Sequence, residues 1–136
     1  MQSKIKLKRL LWASPLAGIA AALVNALVYL LAREAGAIPP DIIVPNAQEP
    51  ITIVPVMVAS FIPAIPAGII LAILTALTSR PVRYFIVISV ILLVLSFYTP
   101  FTIPDVIMPM IVALNLMHVT AAAAIVAVLI KLGRQP

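Results

Sequence analysis

The chain has 136 residues, of which 64% are hydrophobic and 10% charged, with no cysteine and a formal charge of +5. That balance excludes an ordinary water-soluble domain, because a chain this short cannot bury so many apolar side chains in one core, whereas a bilayer can cover the outward faces of every helix. The missing cysteines exclude disulfides and thiolate metal sites. The basic residues flank apolar runs instead of lining a groove with interleaved aromatics, so the charge points to anionic lipid and not to nucleic acid.

Lys4, Lys6, Lys8 and Arg9 stand directly ahead of a first apolar run over residues 10–32. A secretory signal also begins this way, but the run amounts to roughly 35 Å of helix and continues into Asn25 and Tyr29 without a polar cleavage region. It reads as a retained first span. Ser14, Gly18, Ala22 and Ala26 recur every fourth residue and predict a smooth ridge for close helix contact.

Residues 33–50 form the one sizeable loop. Pro39, Pro40, Pro45 and Pro50 exclude a continuous helix, while Arg33, Glu34, Asp41 and Glu49 require water or partners. A surface connection is expected, with an Ile42-Ile43-Val44 centre apolar enough to lie on the end of the bundle. Asp41 and Glu49 lack the regular spacing of a calcium loop and read as solvated charges.

The second run, residues 51–78, is longer than a straight span needs and contains Pro55, Pro63 and Pro66. Pro55 fits a first turn, but Pro63 and Pro66 each delete a backbone donor inside the helix, so a kink or broken turn is expected there. Ser60, Ala64, Gly68, Ala72 and Ala76 make a second small-residue stripe, which predicts a helix at the centre of the bundle. Ser79 is the expected cap and Pro81 the first residue of the third run, 81–98, whose bulky side chains are interrupted by Ser89 and Ser96 and are expected to face lipid. Pro100 and Pro104 mark a turn over residues 99–105, with Tyr98 and Phe101 suited to the membrane interface. Asp105 is the expected N-cap of the fourth run, 106–131, which Lys131, Gly133 and Arg134 close.

Charges at the ends of these runs set the expected orientation. One side receives eight of the nine basic residues, and the other receives Arg33 together with all four acids, Glu34, Asp41, Glu49 and Asp105. The positive-inside rule then places both termini in the cytoplasm. The expected fold is all-α, a membrane-embedded bundle of four transmembrane helices.

With that topology Asn25, Ser60, Asn115 and His118 fall at similar depth in the outer half of the bundle, where prolines also weaken backbone pairing, and they form the candidate ligand-binding set. Asn115 and His118 are three apart and share a helix face. His118 is the only histidine, and an intramembrane imidazole can carry a proton or ligate a haem or metal. No second histidine, cysteine or intramembrane carboxylate accompanies it, so no metal or cofactor is expected, and a neutral histidine bonded to Asn115 and a neighbouring helix needs no further partner. Asn25 and Asn115 read as hydrogen-bonding glue between helices. Glycine-rich phosphate loops, nucleophile elbows and paired metal-ligand histidines are all missing from the sequence, so catalysis is not expected.

The run Val24-Asn25-Ala26-Leu27-Val28-Tyr29, the segment Phe61-Ile62-Pro63-Ala64, the turn Ser79-Arg80-Pro81 and Leu116-Met117-His118-Val119 followed by alanines together resemble a group of uncharacterised bacterial four-helix membrane proteins. The resemblance implies a bacterial inner-membrane protein and brings no activity or cofactor with it. Three functional readings follow. The first is a non-enzymatic accessory, scaffold or binding component, in a homo-oligomer or a larger membrane complex. The second is a small transporter or receptor for an apolar or weakly polar ligand, gated at Pro63 and Pro66. The third, a haem or quinone site in an electron-transfer complex, rests on His118 alone.

Overall fold

The computed structural model describes residues 4–134. Helix α1 (Leu7–Glu34) leads to a small hairpin of β1 (Ile43–Val44) and β2 (Glu49–Pro50). Then follow α2 (Ile53–Phe61), α3 (Ala64–Leu77), α4 (Pro81–Ser96), a 3₁₀ turn (Thr99–Thr102) and α5 (Met108–Gly133). Taken with α2 and α3 as one rod and the 3₁₀ turn as the end of another, four helical segments are long and apolar enough to cross a membrane.

The second rod is interrupted at Ile62 and Pro63, between α2 and α3. Pro66 offers no N–H to the Ile62 carbonyl, and the Ile65 N–H reaches that carbonyl instead, at 3.2 Å, in a tighter i→i+3 bond. Ile62 and Pro63 both keep right-handed helical backbone, so the ladder breaks while the chain runs on. Pro66 itself sits in the first turn of α3, where a missing donor is harmless.

Other local expectations are corrected. The helix expected from residue 106 under an Asp105 cap begins at Met108 with Ile107 as its N-cap. Pro109 has no N–H for the Asp105 carbonyl, and Asp105 turns the chain with φ 58°, outside right-handed helical backbone. Ser79 does not cap α4; Arg80 holds that position without a side-chain bond, and Pro81 opens the helix as expected. The 33–50 loop carries the β1–β2 pairing, with Gln48 at φ 55° and its side-chain amide donating to the Pro45 carbonyl at 2.6 Å. Helix α1 runs through Pro15 and starts three residues before the apolar run.

The central helix is α1 and not the second rod. It packs against α5, α2 and α3, whereas α4 completes the ring against α3 and α5. Small residues on two adjoining faces of α1, among them Ala13, Ser14, Ala17, Gly18, Ala21 and Ala22, let neighbours approach from both sides. The two small-residue stripes meet each other. A Cβ added to Gly68 would fall on the Ser14 hydroxyl, and one added to Gly18 would lie 2.6 Å from the Phe61 ring. The second stripe holds through Gly68, is half-buried at Ala72 and is exposed at Ala76.

Larger side chains close the two ends. Leu10, Leu71, Phe85, Ile125 and Leu129 pack together around the α1 alanines, and Tyr29, Ile38, Val56, Ala113 and Met117 form a second cluster at the opposite end. The chain's two ends are joined: Ile5 pairs with Arg134, the Lys6 N–H donates to the Gly133 carbonyl at 2.9 Å, and the Arg9 guanidinium donates to the Arg134 carbonyl at 2.8 Å. Both termini therefore lie at one end of the bundle, as an even number of crossings requires.

Candidate functional site

The residues singled out from sequence separate into two places. Asn25, 2% exposed on α1, is the hub of the first. Its amide nitrogen donates to the Ser60 hydroxyl on α2 at 2.8 Å and to the Met117 carbonyl on α5 at 2.9 Å, and its amide oxygen accepts from the Thr120 hydroxyl on α5. A backbone carbonyl can only accept, so the nitrogen must face Met117 and the orientation of the amide is fixed by chemistry. Ser60 passes its own proton to the Val56 carbonyl at 2.7 Å. One asparagine thus ties three helices, with every polar atom engaged.

One turn further along α1, the Tyr29 hydroxyl donates to the Ile51 carbonyl at 3.1 Å and accepts from Arg33 at 3.2 Å. Asn25 and Tyr29 are four apart, so the same face of α1 fastens first the buried polar node and then the segment entering α2. The remaining hydroxyls of the rods mostly turn back on their own helices: Ser14, Thr75, Thr78 and Ser89 each bond the carbonyl four residues earlier. That satisfies them without offering a partner to anything else.

Asn115 and His118 are elsewhere. At 100° per residue they lie roughly 160° and 100° around α5 from Met117, away from the Asn25 node. They are not bonded to each other, which corrects the pairing expected from their spacing. His118 is half-buried, with Nε2 3.2 Å from the Thr99 hydroxyl on the 3₁₀ turn. Thr99 also lies 2.8 Å from the Ser96 carbonyl. The Nε2–H tautomer satisfies both contacts, with Thr99 accepting from histidine and donating to Ser96. Asn115 is half-buried, and its amide oxygen is buried without a hydrogen-bond partner among the described residues.

Thr120 and Thr99 were missed by sequence reasoning. Thr120 is the only hydroxyl in residues 106–131, and a buried asparagine with four hydrogen-bonding positions requires partners, so its part was open to discovery. Thr99, in a proline-flanked turn, gave no such signal. At the end opposite the termini, a cleft of about 480 Å³ is lined by Asp41, Ile42, Gln48 and Asp105, among others. No group of three or more His, Asp or Glu able to hold a metal is present among the described residues.

Residues 6–135 match the Family of unknown function (DUF6069). The chain belongs to that family. No curated protein and no solved structure matches it. This DUF6069 chain presents a buried polar node at the centre, a histidine between α5 and the 3₁₀ turn, and on α5 an asparagine whose buried oxygen has no partner among the described residues.

Proposed function

We propose that the protein is a four-span integral membrane protein of the bacterial inner membrane, with both termini in the cytoplasm, acting without catalysis as an accessory or binding component. The observation that carries this reading is the use made of α4. Phe85 is its only buried residue, while Ile86, Val87, Val90, Ile91, Val94 and Leu95 stand between 43% and 66% exposed. In water such a contiguous apolar strip would be a liability; in a bilayer it is either a lipid-facing wall or a face for another subunit. The Asn25 node supports the same reading, because both donors and the oxygen of the amide are already engaged in helix packing.

The test is extraction of the full chain from its own membranes. The protein is expected to stay in the membrane pellet through an alkaline wash and to enter solution only with detergent. Native mass spectrometry of the detergent extract then reads subunit number and any co-purifying protein. Release by alkali alone would sink the membrane reading, and a bare monomer at every detergent concentration would count against an accessory role.

The unpartnered Asn115 oxygen favours a second reading, a small transporter or receptor for a weakly polar ligand. In that case the ligand meets Asn115, His118 and Thr99, and Asn25 and Ser60 are left to packing. Substitution of Asn115 that abolishes uptake into proteoliposomes while leaving helix content unchanged would select this reading over the first.

A further inference from the structure

The end of the molecule that carries both termini holds a cleft of about 840 Å³, between the end of α3, the start of α4 and the paired terminal segments. This is within the range of sites that enclose a small molecule. Lys4, Arg80, Arg83 and Arg134 all line it, and all four are exposed. No acidic side chain serves this end, because Glu34, Asp41, Glu49 and Asp105 all belong to the opposite one.

The placement of two of these cations runs against helix electrostatics. Arg80 is the N-cap of α4 and Arg83 lies in its first turn, which contains no acidic residue, although the positive end of a helix dipole favours negative charge. That turn, two guanidiniums and two further cations therefore border one cleft with no acidic side chain among the described residues lining it. The cleft also has a second kind of wall. Ile86 and Val87 line it and lead onto the exposed apolar strip of α4.

We propose that this cleft binds an anionic phospholipid, its phosphate held by Arg80 and Arg83 with Lys4 and Arg134 around it, and its acyl chains lying along Ile86, Val87 and the strip beyond. Guanidinium groups match phosphate oxygens in fork geometry, which suits them to a headgroup phosphate better than lysines spread over a surface. A free phosphate would supply the same anion but would leave the apolar wall unused. The proposal rests on the reading of the protein as membrane-embedded.

The experiment is native mass spectrometry of the full chain in mild detergent, titrated separately with phosphatidylglycerol, phosphatidylcholine and glycerol 3-phosphate. Phosphatidylglycerol is expected to be retained at lower concentration than phosphatidylcholine, and glycerol 3-phosphate at equal concentration is expected not to displace it. The pair Arg80→Gln and Arg83→Gln should weaken phosphatidylglycerol retention about 100-fold, the loss of two charge-assisted hydrogen bonds to the phosphate. The pair Lys6→Gln and Lys8→Gln removes the same charge from the same end outside the cleft, and should change retention by less than about 3-fold. Equal weakening by the two pairs would overturn the site in favour of diffuse surface attraction. Equal retention of the two lipids, a comparison that needs no variant, would overturn it too, and displacement by glycerol 3-phosphate would overturn the lipid assignment. A chain that enters the membrane pellet yet shows no lipid preference overturns this inference alone, whereas one that never enters the pellet overturns the reading beneath it.

Discussion

The Thr120 hydroxyl on α5 donates its hydrogen bond to the amide oxygen of Asn25 on α1, across 95 residues of sequence. Because the Asn25 nitrogen is already committed to Ser60 and Met117, the threonine gives the one remaining polar atom of a buried amide its partner. Asn25→Ala should therefore destabilise the bundle by about 2 kcal/mol, the sum expected of a few modest interhelical bonds. Asn25→Asp should cost more, about 3 kcal/mol, because the ionised carboxylate has no donor for the Met117 carbonyl or Ser60 and the protonated one has a single O–H for both. Detergent-denaturation curves followed by circular dichroism give both values; equal stability of the aspartate variant and wild type would show that the node is not as closed as its geometry says.

The contact between Ser14 and Gly68 sets a second expectation. Gly68→Ala places a methyl group on the serine hydroxyl and should cost about 1–3 kcal/mol by overpacking. Ser14→Ala gives up only a bond to its own helix and should cost less than about 1 kcal/mol. In the double variant the methyl group has somewhere to go, although the residue 14 Cβ still stands 3.0 Å away. A double-mutant cycle should show favourable coupling of about 1 kcal/mol, and strict additivity would mean the two helices do not touch there.

Tyr29 is 1% exposed and its hydroxyl holds the Ile51 carbonyl at the entry to α2. Tyr29→Phe keeps the packing and removes the bond, so about 1 kcal/mol of stability should be lost. Hydrogen exchange of the 33–50 segment should quicken in the same variant. Unchanged exchange there would place the anchoring of the loop in its hairpin alone.

His118 meets one hydroxyl at the margin of the bundle, so His118→Gln, which can still reach Thr99, should change stability by less than about 1 kcal/mol. Oligomer distribution in mild detergent should be unchanged in the accessory reading. Loss of a measured transport activity with assembly intact would transfer the role to the second reading.

How much of this was legible beforehand follows the physics of each signal. The four rods could be read because length and hydropathy act locally. The stripe through Ser14 and Gly18 was visible, but that it meets Gly68 and Phe61 was not, since a ridge says that something comes close without saying what. Asp105 looked like a cap by residue type, but it turns the chain with φ 58° and Ile107 holds the cap position. Asn25 and His118 had similar apparent depth, and only the rotation of α5 about its axis separates the face that meets Asn25 from the face that meets Thr99. Depth is a one-dimensional quantity, and bringing side chains together takes the other two.

The order of packing has a consequence for assembly. Helix α1 is made first, yet its most extensive partner is α5, which is made last. During synthesis Asn25 can meet Ser60 as soon as α2 is in place, but Met117 and Thr120 do not exist until α5 is made, and the clasp of Ile5 on Arg134 comes later still. Until then the hub amide stands half-bonded in an unfinished groove, exposed to whatever other helix drifts past. Helix α5 acts as a latch, and a chain stalled before it leaves the Asn25 amide without its Met117 and Thr120 partners.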